Sequence, residues 1–321
     1  MRHVAGAIRL LVVVASLTAV IRCGSSSPTA PIVQQGTQQA NPVQTSFTIT
    51  GNLAYTGTGQ QGQLTATAGY ADGTSKNITT SVSWIPQLAT VATISPAGLL
   101  TTTGLGGTYI AAQNNAVGSS SRYYIQTVLV RVTPPGTLAL LGWTREPGSG
   151  PLPGVSVREA QSGQSTMSNT NGDYALGGLS SAVLTFTKSG YEDAQFETSQ
   201  DTYDGWPLQQ VVRIDAGASV TQRLAPHDVD YVVTGSTHCQ PCRLIRVTST
   251  TAGTLHLRVT WTDQASALNI WVNGQVFPGS STTREIAADV PVGVGELLVY
   301  VGKLQPSALG NYVPFTLSTS R

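Results

Sequence analysis

The chain has 321 residues, a formal net charge of +1 and 10% charged side chains, against about 25% in ordinary soluble domains. So little charge leaves no basic stripe to displace counterions from nucleic acid and no acidic tail, which excludes nucleic-acid partners. The length exceeds one β-sandwich and suits three modules of about 100 residues each, while the abundance of Thr, Ser, Gly and Val favours strands and turns over helices.

At the N-terminus, Arg2, His3 and Arg9 flank an uncharged apolar run, Leu10 to Ile21. The run is shorter than the roughly 20 residues that span a bilayer as a helix, so it predicts an export signal. Cys23 follows, then Gly24-Ser25-Ser26-Ser27-Pro28, with no charged side chain between Arg22 and Asp72. This resembles the lipid-attachment cysteine and tether of bacterial lipoproteins. The resemblance implies a signal over residues 1–23, acylation of Cys23 and attachment to a membrane. Arg22 departs from the small residue that such signals favour before the cysteine, and cleavage with secretion is the alternative. Residues 24–43 mix Ser, Pro, Gln and Gly with few large apolar side chains and read as a flexible linker.

From Thr45 the pattern changes to short alternating runs: Ser46 to Thr50, Gln63 to Ala68 and Ser81 to Trp84. Period two means one buried and one solvated face, and turn signals at Asp72-Gly73, Pro96-Ala97-Gly98 and Gly104 to Gly107 separate the runs as in an antiparallel sandwich. The order Leu64-Thr65-Ala66-Thr67-Ala68, Tyr70-Ala71-Asp72-Gly73-Thr74, Val82-x-Trp84, Val91 to Ile94 and Gly107 to Ala112 resembles the bacterial immunoglobulin-like group 2 domain, over about residues 44–133. That resemblance implies an adhesion or spacer module with Trp84 as core anchor. Where the family has Ser-Ser-Asn after the Trp, this chain has Ile85-Pro86-Gln87, a departure expected to affect a loop.

After Pro134-Pro135 come Leu140 to Thr144, Pro151 to Val157, Ser168 to Leu176 and Phe186 to Tyr191. Asn171-Gly172 supplies a hairpin turn needing positive φ, with Tyr174 and Leu176 pointing inward on the following strand. The segment is similar to the carboxypeptidase regulatory-like domain, a prealbumin-like sandwich, over about residues 136–225. The resemblance brings no catalytic residue, since the zinc-binding peptidase domain is absent from the pattern. Residues 226–321 contain five further strand runs, including Gly253 to Trp261, Leu268 to Val272 and Gly295 to Val301. Their order resembles the pre-peptidase C-terminal type of jelly-roll domain. Asn269 stands where that family more often has Asp, which sets aside any carry-over of calcium binding.

Chemistry is sparse. His238-Cys239-Gln240-Pro241-Cys242, with His227, Asp228 and Asp230 upstream, reads first as a short-range disulfide between Cys239 and Cys242. The alternatives are a metal or enzymatic centre over His227 to Cys242, with His227, His238 and both cysteines as ligands, or a redox pair. Adjacent His238 and Cys239 are poorly placed to share one metal, and a thioredoxin-like motif needs a helix that this segment lacks. The four histidines and the absence of Gly-x-Ser-x-Gly give no nucleophile and base. Glu192, Glu197, Asp201 and Asp204 offer carboxylates with no legible separation.

For binding, the stretch Asp201 to Trp206 stands out. Tyr203 and Trp206 beside Asp204 in a Gly-containing loop could stack on a sugar while the carboxylate takes its hydroxyls; alternatively Trp206 folds back onto the core. The expectation is therefore an all-β exported chain of three sandwiches (immunoglobulin-like, prealbumin-like, jelly-roll-like) with no enzyme activity and no cofactor. It would bind polysaccharide or another surface protein, or act as a ligand-free spacer.

Overall fold

The computed structural model describes residues 42–115, 123–200, 202–225, 228–304 and 312–321, and in them the alternating runs form 28 strands and one 3-10 turn at Thr79–Ser81. The signal segment with Cys23, nearly all of the linker, Asp201 and His227 lie outside the described residues. The described chain is all-β, its sheets packed face to face as three sandwiches.

The first sandwich contains β1 (Gln44–Thr50), β2 (Ala54–Tyr55), β3 (Gln61–Gln63), β4 (Thr65–Tyr70), β5 (Ser75–Asn77), β6 (Ser83–Pro86), β7 (Ala92–Ile94), β8 (Leu99–Thr102), β9 (Gly106–Asn115) and β10 (Tyr123–Val132). Two small sheets, β1-β4-β5 and β3-β8-β7, pack on the larger β2-β10-β9-β6. The small side chains of Ala66, Ala68 and Ala112 let the layers approach, while Leu64, Leu100 and Ile110 fill the centre. Trp84 is half-buried where the two core clusters meet, and its indole Nε1–H donates to the Thr79 carbonyl at 2.9 Å. Asp72-Gly73 makes the expected turn, with Gly73 at φ +82° and its N–H donating to Tyr70 O at 3.0 Å.

The second sandwich contains β11 (Leu138–Glu146), β12 (Gly150–Pro151), β13 (Ser156–Glu159), β14 (Ser165–Met167), β15 (Asp173–Leu179), β16 (Val183–Thr187), β17 (Ala194–Glu197) and β18 (Asp204–Pro207). Strand β11 is flanked by β12, β15 and a parallel β18, and this sheet faces β14-β13-β16-β17. Tyr174 and Leu176 point into the core, as the alternation predicts.

The third contains β19 (Arg213–Asp215), β20 (Ser219–Leu224), β21 (Tyr231–Thr234), β22 (Thr237–Ser249), β23 (Gly253–Trp261), β24 (Asn269–Val272), β25 (Gln275–Pro278), β26 (Glu285–Val292), β27 (Gly295–Leu304) and β28 (Val313–Ser320). One sheet runs β19-β22-β27-β24-β25 with β21 beside β22; the other runs β20-β28-β23-β26. In β26 every second residue from Ile286 to Val292 is buried against Leu255, Leu257 and Val259 of the core. The sequence reading attaches residues 213–224 to the second module, but here they belong to the third. β19 pairs with β22, β20 pairs with β28, and fully buried Leu224 joins the third core.

Neighbouring sandwiches are interlocked. Leu141 and Ala175 of the second pack into the core of the first, and their strands cross β9 where Gly106 and Gly107 leave room. A Cβ on Gly177 would fall 2.5 Å from Gly106 N and 2.9 Å from Val132 O, so backbone lies directly on backbone at this junction. Between second and third, buried Gln209 reaches the Leu244 peptide, and Glu192 takes two hydrogen bonds from the Arg246 guanidinium, at 2.8 and 2.5 Å.

Candidate functional site

The second half of the stretch expected to form an open aromatic loop is instead part of the strand β18, hydrogen-bonded in parallel register along β11. The register leaves the three candidate side chains with different roles. Trp206 turns inward and stacks on Phe196, ring centroids 4.4 Å apart and 16° from parallel, as part of the second core. Asp204 accepts from Thr198 Oγ1 at 2.7 Å and from the Ser199 N–H at 3.3 Å, closing its own loop. Tyr203 alone points out of the second sandwich. Its ring meets Tyr109 of the first edge-on, centroids 6.1 Å apart. The trio Tyr203, Asp204 and Trp206 therefore does not make a sugar-stacking platform, because the Trp206 ring is turned into the second core while the Tyr203 ring, just before β18, lies against Tyr109 of the first sandwich.

What Tyr203 does reach is more informative. Its hydroxyl donates to Asp173 Oδ1, and Gln87 Nε2 of the first sandwich donates to both Tyr203 Oη, at 2.8 Å, and Asp173 Oδ1, at 3.1 Å. Burial first, and then the adjoining Asp173 carboxylate, push the Tyr203 hydroxyl well above the ordinary tyrosine range, so it stays a donor. Asp173 itself is 6% exposed and opens β15 directly after the Asn171-Gly172 turn. Asn169 Oδ1 accepts the N–H groups of Asn171 and Asp173, each at 2.9 Å, and Gly172 holds φ +77°, which fixes the carboxylate's position.

This hydrogen-bonded set borders a cleft of about 520 Å³ between the first and second sandwiches. Gln87, Gln164, Thr166 and Asp173 give it polar walls, while Leu88, Leu105, Met167 and Ala175 supply apolar surface. Sequence reasoning missed both Gln87 and Asp173. The signal for Gln87 was the Ile85-Pro86-Gln87 departure from the family pattern, which lies at the junction rather than in a free loop. Asp173 was hidden inside a turn motif that accounts for its neighbours without it.

The second candidate region is closed. Cys239 and Cys242 are joined by a disulfide, as expected, in a bulge of β22 beneath Trp271 and Tyr300. Both sulfurs are thereby engaged with each other and are not thiolate ligands. His238 Nδ1 lies 3.0 Å from Asp230 Oδ1, and among the described residues no cluster of three or more His, Cys, Asp or Glu gathers to hold a metal. Asp228 is buried against Arg243, 3.0 Å away; burial pushes its carboxyl above the ordinary range while Arg243 draws it back. His256 faces outward on β23 beside Asp289, 2.6 Å away.

No protein-family model and no curated protein matches the chain. Among solved structures, the chain is similar to the pre-peptidase C-terminal domain of collagenase from Bacillus anthracis, at a TM-score of 0.25 and 12% identity, covering 35% of this chain and 95% of that one. It is also similar to the Bacillus anthracis TIE protein, at a TM-score of 0.19 and 13% identity over 86% of this chain and 56% of that one. A structure of carbohydrate-binding modules from the β-sandwich superfamily aligns at a TM-score of 0.16 and 9% identity, over 85% and 95% of the two chains. The all-β sandwich fold itself stands on the strand pairing described above.

Proposed function

We propose that the chain is an exported, non-catalytic binding protein of the cell envelope that holds three β-modules in fixed relation and recognises carbohydrate. In this reading the modules are an immunoglobulin-like, a carboxypeptidase regulatory-like and a pre-peptidase C-terminal-like sandwich, and Cys23 carries the lipid that anchors them. The observation that carries the reading is the interlocking of the sandwiches. Leu141 sits in its neighbour's core and Gly106 and Gly177 bring two backbones together, so surfaces from different modules keep one geometry. Such pre-organisation favours recognition, since little ordering remains to be done on binding. The disulfide between Cys239 and Cys242 supports an oxidising compartment outside the cytosol.

Two measurements test this. Mass spectrometry of the mature N-terminus is expected to find acylated Cys23, and a protein retained in the cytosol with its first residues intact defeats export. Retention of the full chain on a panel of immobilised polysaccharides is the expected mark of recognition; failure to retain it on any of them removes the carbohydrate reading.

A further inference from the structure

We propose that the cleft between the first and second sandwiches is a binding site for a neutral saccharide, with Asp173 as its central acceptor. The inference rests on the carbohydrate reading above and gives it a location. The cleft's volume, about 520 Å³, lies within the range of about 300–1,000 Å³ typical of small-molecule sites, and such sites favour junctions between domains.

The chemistry of the walls selects the ligand. Asp173 is more than nine-tenths buried, and its Oδ1 is taken by Tyr203 and Gln87. Among the described residues no hydrogen bond reaches its Oδ2, which leaves that oxygen to accept from a ligand in the cleft. A sugar hydroxyl supplies a donor without bringing a charge. Among the described residues that line the cleft, Asp173 is the single charged side chain, and no Lys or Arg is present to meet a phosphate, sulfate or uronate. An anionic ligand would thus face a carboxylate with nothing to balance it. The amides of Gln87 and Gln164 and the hydroxyls of Ser165 and Thr166 both donate and accept, which matches the mixed character of sugar hydroxyls. Met167, 65% exposed on the short edge strand β14, offers apolar surface to the C–H face of a ring.

The interlocked junction explains why the site is formed without a ligand. The two hydrogen bonds from Gln87, to Tyr203 and to Asp173, cross from the first sandwich to the second, so one wall fixes the other.

The test is affinity electrophoresis of the full chain through gels containing a neutral glucan, a neutral mannan or an anionic polyuronate. Three variants accompany it: Ser165→Trp, which fills the cleft from an exposed position; Asp173→Asn, which removes the charge and keeps the shape; and Thr254→Trp, on the outer face of the third sandwich. Thermal melting of each variant checks the fold. The expected result is retardation by a neutral polysaccharide, weakened at least tenfold by Ser165→Trp and by Asp173→Asn, unchanged by Thr254→Trp, with no retardation by the polyuronate. Retardation that survives in folded Ser165→Trp and Asp173→Asn overturns the cleft while leaving carbohydrate recognition standing. Retardation by the polyuronate alone overturns the neutral ligand, and no retardation of the unmodified chain in any gel overturns both readings.

Discussion

Gln209 and Leu244 exchange two hydrogen bonds across the junction of the second and third sandwiches: Gln209 Nε2 donates to the Leu244 carbonyl at 2.7 Å, and the Leu244 N–H donates to Gln209 Oε1 at 3.1 Å. A side-chain amide here does what a neighbouring strand's backbone would do, and it does so at 1% exposure. Replacing it with alanine leaves both groups of a buried peptide unpaired, at a cost of about 1–3 kcal/mol for each such group. Gln209→Ala is therefore expected to lower the stability of the chain by about 2 kcal/mol or more. Urea denaturation measures the loss, and a midpoint equal to that of the unmodified chain would show that water replaces the amide.

At the other junction the decisive feature is an absent side chain. Gly177→Ala places a methyl group 2.5 Å from Gly106 N and 2.8 Å from Leu105 Cβ, too close for either to stay where it is. Overpacking of this kind costs about 1–3 kcal/mol. The substitution is expected to lower the melting temperature and to speed amide hydrogen exchange on both sides of the contact, in β9 and β15 together. Exchange that changes in one sandwich alone would mean that the two are not coupled there.

Acid is expected to weaken the third sandwich in a particular way. The Arg246 guanidinium holds the Glu296 carboxyl below its ordinary value of 4.5, and Arg258 does the same for Glu285. A carboxyl depressed in the folded state stabilises fully above about pH 4.5, and that contribution is lost as the pH falls through the folded-state value. Asp228 acts in the opposite sense, because burial raises its pKa and its ionisation counts against the fold as pH rises above the ordinary 3.8. Arg246→Gln should lower stability near neutral pH, and the gap to the unmodified chain should narrow on acidification. Denaturation midpoints taken between about pH 3 and 7 give the comparison; parallel curves would contradict it.

The disulfide closes a loop with a sequence separation of 3 between Cys239 and Cys242, so the entropy it removes from the unfolded chain is small. The expected loss for a Cys239→Ser, Cys242→Ser double variant is about 2 kcal/mol, at the low end for disulfides. A chain that fails to fold without the bond would show that the sulfurs matter more as buried packing under Trp271 and Tyr300 than as a cross-link.

Much of the architecture was legible because period two is local. Ser46 to Thr50, Gly253 to Trp261 and Asn171-Gly172 announce their strands and turn, and His256 reads as solvent-facing from its immediate neighbours. Affiliation was not legible. Arg213–Asp215 alternates like any strand, and only the distant β22 decides which sandwich takes it. The site suffered from the same limit. Asp201 to Trp206 looks like a loop because Asp, Gly and Tyr favour turns, yet parallel pairing with residues 142–145 makes a strand of its second half. Gln87 and Asp173 lie 86 positions apart, and no local pattern joins them.

The glycine contact between β9 and β15 also bears on how such chains can be assembled from parts. Cutting at Pro134-Pro135, the obvious seam, strips Leu141 and Ala175 from the core they help to fill and bares the backbone of Gly106 and Gly107. The first two sandwiches must therefore travel together when the gene is shuffled or truncated.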